Sequence, residues 1–168
     1  MKPGISLTIQ SDENNDPTVI ACNGQNRFLR LLVEGQNDDN VNVTLRGFTI
    51  QDCVPKDDPT SGTLEGGALV FAAGKTRTPV NIVLDSMTIT RCRAPSSTGG
   101  AISLKAPSNR NRRNVQNVES ALEELSSLAA SKFTLLVQRS TISDCSASSG
   151  GAIALSGFNA RFESSYAC

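Results

Sequence analysis

The apolar positions of this chain recur in three segments that superpose without a gap. These segments are residues 41–53, 80–92 and 133–145, and each one ends in a cysteine. Apolar and polar residues alternate within each segment, which is typical of a β-strand with one buried face. The alternation slips by one residue at Arg46-Gly47, where we expect one strand to bend into the next. The pattern therefore predicts pairs of short strands joined at a corner.

The same residue types also recur at equivalent places in the three segments. A Thr-Ile pair lies inside each segment, a cysteine closes it, and a Gly-Gly-Ala triplet follows. The positions are Ile50, Ile89 and Ile142; Cys53, Cys92 and Cys145; and Gly66-Gly67, Gly99-Gly100 and Gly150-Gly151. A repeat too small to bury its own apolar face buries it by stacking on similar repeats. The predicted fold is all-β, a right-handed parallel β-helix (solenoid) of about four to five coils.

Two divergent stretches extend this pattern at either side. Residues 7–10, 18–22 and 29–33 read as strands of an earlier coil, and residues 160–168 begin a later one. The segments between each cysteine and the next Gly-Gly are rich in Pro, Asp, Ser and Thr, so we expect surface loops there. Solenoids need capped ends, and none is evident. We therefore expect residues 1–168 to form a single domain that is a fragment of a longer protein with further β-helix coils.

An insertion interrupts the third repeat at residues 107–132. Its first part, residues 109–113, is basic, and Ser120 with Glu123 resembles the capping box of a helix. Apolar residues follow at helical spacing. The insertion is expected to hold a short amphipathic helix that packs over a coil, with partner docking as the alternative.

Charge and composition narrow the functional classes. Lys+Arg and Asp+Glu are 16 each, so no net charge draws the chain to nucleic acid. No apolar run is long enough for a transmembrane span, and residues 1–6 show no hydrophobic signal region. Histidine is absent, which excludes a His-dependent catalytic triad. We expect no enzyme activity and no catalytic, cofactor-binding or metal-binding residue in this chain.

The cysteines and glycines have structural and chemical interpretations. Stacking would bring Cys53, Cys92 and Cys145 within disulfide range, but small buried thiols are the preferred interpretation. The Gly-Gly-Ala triplets lack the Lys and Ser/Thr of a phosphate-binding loop, so tight corners are preferred for them.

Charged residues also have two interpretations. The pairs Asp38-Asp39 and Asp57-Asp58 are expected to be solvated loop charges, with a calcium site as the alternative. Asp52, Arg91 and Asp144 occupy equivalent positions and would form an Asp–Arg–Asp ladder if stacked. Surface ion pairs of this kind contribute little to stability.

A family resemblance is carried by the segments around the cysteines. Ile89-Thr-Arg-Cys92-Arg-Ala94 and Ile142-Ser-Asp-Cys145-Ser-Ala147, each near Gly-Gly-Ala-Ile, resemble the repeat of polymorphic outer membrane proteins. Phe162-Glu-Ser-Ser165-Tyr-Ala167 is a third match. The family pattern is Phe-x-x-Asn-x-Ala, with Cys or Ser here in place of Asn. More broadly, the chain is similar to pectin-lyase-like β-helices. The resemblance implies an extracellular or cell-surface location.

The expected function is that of a non-catalytic β-helix repeat module. It would act as a surface or extracellular scaffold of the adhesin type, whose partner is a glycan or a cell-surface protein rather than nucleic acid. One alternative is a fragment of a pectin-lyase-like carbohydrate-active enzyme whose active-site coils lie outside this chain. A second is a degenerate gene product with no activity of its own.

Overall fold

The computed structural model describes residues 4–12, 18–33, 40–55, 66–73, 79–106 and 133–167. These ranges contain β-strands and no helix. The insertion at 107–132, with its predicted helix, lies outside them. The strands are β1 (Ile5–Gln10), β2 (Thr18–Ala21), β3 (Leu29–Val33), β4 (Val41–Arg46), β5 (Phe48–Gln51), β6 (Leu69–Ala73), β7 (Val80–Asp85), β8 (Thr88–Thr90), β9 (Arg93–Thr98), β10 (Ile102–Lys105), β11 (Phe133–Gln138), β12 (Thr141–Ser143), β13 (Ser146–Ser149), β14 (Ile153–Ser156), β15 (Asn159–Glu163) and β16 (Tyr166–Ala167).

The strands form parallel sheets that the chain visits in a fixed order. Sheet 1 is β1-β4-β7-β11-β15, sheet 2 is β2-β5-β8-β12-β16, sheet 3 is β3-β6-β10-β14, and sheet 4 pairs β9 with β13. Successive strands therefore belong to sheet 1, then sheet 2, then sheet 3, and in repeats 3 and 4 a strand of sheet 4 lies between those of sheets 2 and 3. We number these passes as repeat 1 (β1–β3), repeat 2 (β4–β6), repeat 3 (β7–β10), repeat 4 (β11–β14) and repeat 5 (β15–β16). The all-β class with parallel sheets is confirmed.

Equivalent apolar residues of the repeats are hydrogen-bonded neighbours. In sheet 2, Ile50 pairs with Ile89 and Ile89 pairs with Ile142. Sheets 1 and 3 contain similar columns of aliphatic side chains. The central members are buried: Val43, Ile82 and Leu135 in sheet 1, and Leu69 and Ile102 in sheet 3. The inward faces of the sheets thus share one apolar core.

Single residues in the left-handed region turn the corners between sheets. Such residues redirect the chain within one step, and for any residue but glycine this conformation is uncommon. Between sheets 1 and 2 they are Gly47, Ser86, Arg139 and Ser164; after sheet 2 they are Asp52, Arg91 and Asp144, with the two residues Asn23 and Gly24 in repeat 1; before sheet 3 they are Gly66, Gly99 and Gly150. The bend predicted at Arg46-Gly47 is present, with a φ of 78° at Gly47.

One loop prediction is wrong. The segments that follow Cys92 and Cys145 were expected to be surface loops, yet β9 and β13 pair as parallel strands. Their sequences, Arg-Ala-Pro-Ser-Ser-Thr and Ser-Ala-Ser-Ser, have weak intrinsic strand preference. The neighbouring repeat supplies the hydrogen bonds that stabilise them. The register shifts between Ala147 and Ser149, opposite the stretch with Pro95, which has no N–H to donate.

The strands of repeats 1 and 5 lie at the edges of sheets 1 and 2. Inward positions are therefore more exposed there than in the middle repeats. Ile5 is 65% exposed, whereas its column neighbours Val41 and Val80 are 7% and 1% exposed. Most of the buried apolar side chains of these columns therefore lie in repeats 2 to 4.

Candidate functional site

Among the described residues, four cysteines follow the strands of sheet 2, one in each of repeats 1 to 4. Cys22 and Cys53 form a disulfide whose Cα atoms are 4.7 Å apart. Cys92 and Cys145 are free thiols; Cys92 is buried and Cys145 is half-buried. The expectation of unbridged thiols is therefore wrong for Cys53 and correct for the other two.

Sequence reasoning missed the partner of Cys53 because repeat 1 has a different spacing. Ile20 pairs with Ile50, but Cys22 lies two residues after its isoleucine whereas Cys53 lies three residues after. Parallel neighbours are about 4.8 Å apart, which is within the range that a disulfide requires. Alignment of Ile20 with Ile50 was the signal that would have found the pair.

The thiols of Cys92 and Cys145 belong to one hydrogen-bonded corner. The backbone N–H of Cys92 donates to Sγ of Cys145 at 3.4 Å. The thiols donate to backbone oxygens two residues earlier, Cys92 to Thr90 at 3.3 Å and Cys145 to Ser143 at 3.1 Å. Hydrogen bonding to Cys145 and burial raise the pKa of the Cys92 thiol. The same contact lowers the pKa of Cys145.

Serine takes the same role at the corner between sheets 1 and 2. Oγ of Ser140 accepts from the N–H of Met87 at 3.0 Å and donates to the Gln138 carbonyl at 2.8 Å. Oγ of Ser165 accepts from the N–H of Ser140 at 3.2 Å. In each case a side chain accepts the corner N–H of the preceding repeat and donates to a carbonyl two residues earlier. Cysteine and serine are therefore equivalent as corner residues.

This register corrects one alignment made from sequence. The sequence alignment places Ser165 at the position of Cys92 and Cys145, in the segments that resemble the repeat of polymorphic outer membrane proteins. The structure instead pairs Tyr166 with Thr141 and stacks Ser165 on Ser140, at the other corner. The two corners share the same backbone turn, so their local sequences look alike.

The Gly-Gly pairs lie at the third corner, before sheet 3. Gly66, Gly99 and Gly150 have φ values of 69°, 68° and 79°. The glycine after each of the first two, Gly67 or Gly100, lies against the backbone of the next repeat. A Cβ on Gly67 would overlap the carbonyl oxygen of Gly100. The triplets therefore meet the geometric needs of a tight corner.

The Asp–Arg–Asp ladder is present in part on the surface. The Arg91 guanidinium binds both carboxylate oxygens of Asp52, at 2.8 and 2.9 Å. The hydrogen bond between Arg91 and Asp52 lowers the pKa of Asp52 and raises the pKa of Arg91, and the charges of Asp52 and Asp144 raise the pKa of Arg91 further. The Arg91 and Asp52 side chains are 53% and 37% exposed, so solvent weakens the pair.

A second, buried ionic cluster was missed by sequence reasoning. The Asp85 side chain is only 1% exposed and contacts Arg46 at 2.8 Å and Arg139 at 2.5 Å. Ser86 adds a hydrogen bond at 3.1 Å. Burial raises the pKa of Asp85, but hydrogen bonds from Arg46, Gln138, Ser86 and Arg139 outweigh it and lower the pKa overall. Opposite charges at the paired positions 46 and 85 were the available signal.

This cluster predicts a defined acid sensitivity. The folded pKa of Asp85 lies below its ordinary value of 3.8, so its ionised form stabilises the fold above that value. The contribution is lost as the pH falls through the folded pKa. We expect Asp85→Asn to lower the free energy of unfolding by about 1–3 kcal/mol at pH 6. Urea unfolding of both proteins from pH 6 to pH 2 should show this difference shrinking with acid, and a difference independent of pH would contradict the assignment.

The outer face of sheet 2 presents a regular array of hydroxyl groups. Thr49, Thr88 and Thr141 are direct neighbours in one outward column. A second column contains Gln51, Thr90 and Ser143, with Thr90 and Ser143 hydroxyls 3.2 Å apart. Tyr166, the only tyrosine of the sequence, continues the first column beyond Thr141 and is 65% exposed. We call this set of residues the threonine face.

Sheet 1 also has a polar ladder on its outer surface, formed by Ser6, Asn42, Asn81, Thr134 and Asn159. The Asn81 amide donates to the Asn42 side-chain oxygen at 3.0 Å, and the Thr134 hydroxyl donates to Asn81 at 2.7 Å. These side chains bind each other, and so fewer of their donors and acceptors face a ligand. Thr90 and Ser143 share a hydrogen bond in the same way, but the threonine face also carries the exposed ring of Tyr166, which makes it the better candidate for a contact surface.

Among the residues that the structure describes, no group of three or more His, Cys, Asp or Glu is placed to hold a metal ion. Asp38-Asp39 and Asp57-Asp58, with their calcium alternative, lie outside the described residues. A helix of the length and hydropathy needed to cross a bilayer is not found in the described ranges.

No family model, curated protein or solved structure matches this chain.

Proposed function

We propose that this chain is a right-handed parallel β-helix that serves as a non-catalytic scaffold and binding module of the adhesin type. The recurring order of sheets 1, 2 and 3 along the chain supports the helical path. The right hand follows because crossover connections between parallel strands are right-handed in about 98% of cases. The family resemblance of the cysteine segments to outer membrane protein repeats agrees with this architecture.

The threonine face carries the proposal for binding. Thr88 and Thr90 lie on one three-residue strand with Ile89 buried between them, so the core holds both hydroxyls in place. A preorganised surface loses little conformational entropy when a ligand binds. Tyr166 adds an exposed ring with a hydroxyl, a residue type enriched in contact surfaces. Hydroxyl columns next to one aromatic ring suit a polar, extended ligand such as a glycan or a cell-surface protein.

The disulfide supports an oxidising location. Disulfides persist in secreted and cell-surface proteins and are rare in the reducing cytosol. The Cys22–Cys53 bond lies between two adjacent repeats, and Cys53 is fully buried. An extracellular or cell-surface location is therefore part of the proposal.

Binding is tested by exposing the full chain to a glycan array and to intact cells. The test variant Thr88→Arg places a long charged side chain in the middle of the threonine face. The matched control Thr44→Arg makes the same change at a half-buried outward position of sheet 1. We expect Thr88→Arg to weaken binding at least about tenfold, Tyr166→Ala to weaken it less, and Thr44→Arg to retain it.

Two results would contradict the proposal. One is equal loss of binding in Thr88→Arg and Thr44→Arg, since the threonine face would then have no special role. The other is release of unsaturated product from a polyuronide by the purified chain, since that is lyase turnover rather than binding.

A further inference from the structure

Cys92 and Cys145, like the two cysteines that are already bridged, are corner residues of two adjacent repeats. They stand at equivalent positions, whereas Cys22 and Cys53 are offset by one residue. Cys92 and Cys145 each lie three residues after Ile89 and Ile142, which are paired partners in sheet 2. Paired parallel strands are about 4.8 Å apart, and a disulfide requires Cα atoms about 4.4–6.8 Å apart. The 3.4 Å contact of the Cys92 N–H with Sγ of Cys145 shows that the Cys145 side chain points to repeat 3.

We propose that Cys92 and Cys145 are a second disulfide site, oxidised by exchange with a small-molecule disulfide such as oxidised glutathione. The Cys145 thiolate attacks one sulfur of the small molecule, and its S–S bond breaks to release one thiolate. The Cys92 thiol then gives its proton to the released thiolate and attacks the Cys145 sulfur of the mixed disulfide. The second small-molecule thiolate leaves, so that two protein thiols are oxidised and one disulfide is reduced to two thiols.

The roles of the two cysteines follow from their surroundings. Cys145 is half-buried and therefore accessible to a small molecule, whereas Cys92 is 0% exposed. The hydrogen bond from Cys92 also lowers the pKa of Cys145, which favours its thiolate. Cys92 is screened from solvent but adjacent to Cys145, so it resolves the mixed disulfide within the protein.

The second disulfide would complete a pattern of paired repeats. Cys22–Cys53 joins repeats 1 and 2, and Cys92–Cys145 would join repeats 3 and 4. The chain between Cys92 and Cys145 includes the insertion at residues 107–132. Closing so long a loop restricts the unfolded chain more than a short loop would. Oxidation therefore stabilises the half of the fold that the first disulfide does not reach.

The experiment treats the full chain with oxidised glutathione, blocks remaining thiols by alkylation, and maps tryptic peptides by mass spectrometry. Cleavage at arginine separates Cys92 from Cys53 and from Cys145. Two variants accompany the wild type, Cys92→Ser and Cys145→Ser. Both should fold, because serine already occupies the equivalent position at the other corner in Ser140 and Ser165.

We expect a Cys92–Cys145 cross-linked peptide in the wild type and a melting temperature several degrees above that of reduced protein. In Cys92→Ser, Cys145 should accumulate as the mixed glutathione disulfide, because nothing resolves it. In Cys145→Ser, Cys92 should be recovered as a free thiol. Unlinked thiols or a stable mixed disulfide at Cys145 in the wild type would overturn the proposal. Linkage of Cys145 to Cys168, or of Cys92 to Cys53, would overturn it as well. None of these outcomes depends on the binding proposed for the threonine face.

Discussion

Gly67→Ala is expected to lower the free energy of unfolding by more than about 3 kcal/mol. The Cβ atom would overlap the carbonyl oxygen of Gly100, in the neighbouring repeat. Because the obstructing atom is backbone, no change of side-chain rotamer relieves the overlap. Gly67 and the next repeat are also tied by the hydrogen bond from the Gly67 N–H to the Gly99 carbonyl at 3.0 Å. The two repeats would have to separate, which opens the core between them.

The matched control for this prediction is Gly151→Ala. Gly151 has a φ of 51°, and a Cβ there would meet nothing within 4 Å. Gly151→Ala should therefore lower the free energy of unfolding only through backbone strain, which is about 1–2 kcal/mol for a residue held in the left-handed region. Urea unfolding followed by circular dichroism measures both variants. If the two lose equal stability, close stacking at Gly67 is not what the glycine pairs provide.

Ile89→Ala is expected to lower the free energy of unfolding by about 2–5 kcal/mol. Ile89 is 0% exposed and lies between Ile50 and Ile142 in sheet 2. The loss has two parts, the transfer free energy of the missing methyl and methylene groups and the cavity that remains. The flanking isoleucines belong to strands fixed by parallel hydrogen bonds, so the cavity closes poorly.

Ile5→Ala is the control for the apolar column. Ile5 is an inward residue of the same type in sheet 1, but it is 65% exposed at the edge of the sheet. Little apolar area leaves the core when it is shortened, and we expect a cost below about 1 kcal/mol. Thermal unfolding of Ile89→Ala and Ile5→Ala compares the two losses of stability. A similar loss for Ile5→Ala would mean that repeat 1 is buried in solution and that the column extends further than the described residues show.

The strands most accurately predicted from sequence are those in which the apolar alternation is regular. Residues 29–33 were expected as a strand and form β3 with the same bounds. The inward series Val43, Leu45, Phe48 and Ile50 is buried as the alternation requires. By contrast, the strands β9 and β13 were not predicted. Their hydrogen bonds come from the adjacent repeat, and the polar sequence of each segment carries no sign of that neighbour.

The candidate site was predicted less completely than the strands. Asp52 and Arg91 were singled out and do pair, but the more buried Asp85 cluster was overlooked. Burial of Asp85 depends on two arginines from repeats 2 and 4 converging on one carboxylate. The composition does not reveal this cluster. Equal numbers of acidic and basic residues do not show which of them lie together in the fold.

What the sequence alone determined is the repeat itself. The alternation of apolar residues, the Thr-Ile pairs and the Gly-Gly corners recur along the chain, and each is a local property that needs no knowledge of neighbours. Which side chains of different repeats meet depends on the folded arrangement, as in the bond between Cys22 and Cys53 across 31 residues. The physical reason is register. A shift of one residue between neighbouring strands exchanges their inward and outward faces, and burial of the apolar side chains of the middle repeats selects the one alignment that keeps them inside.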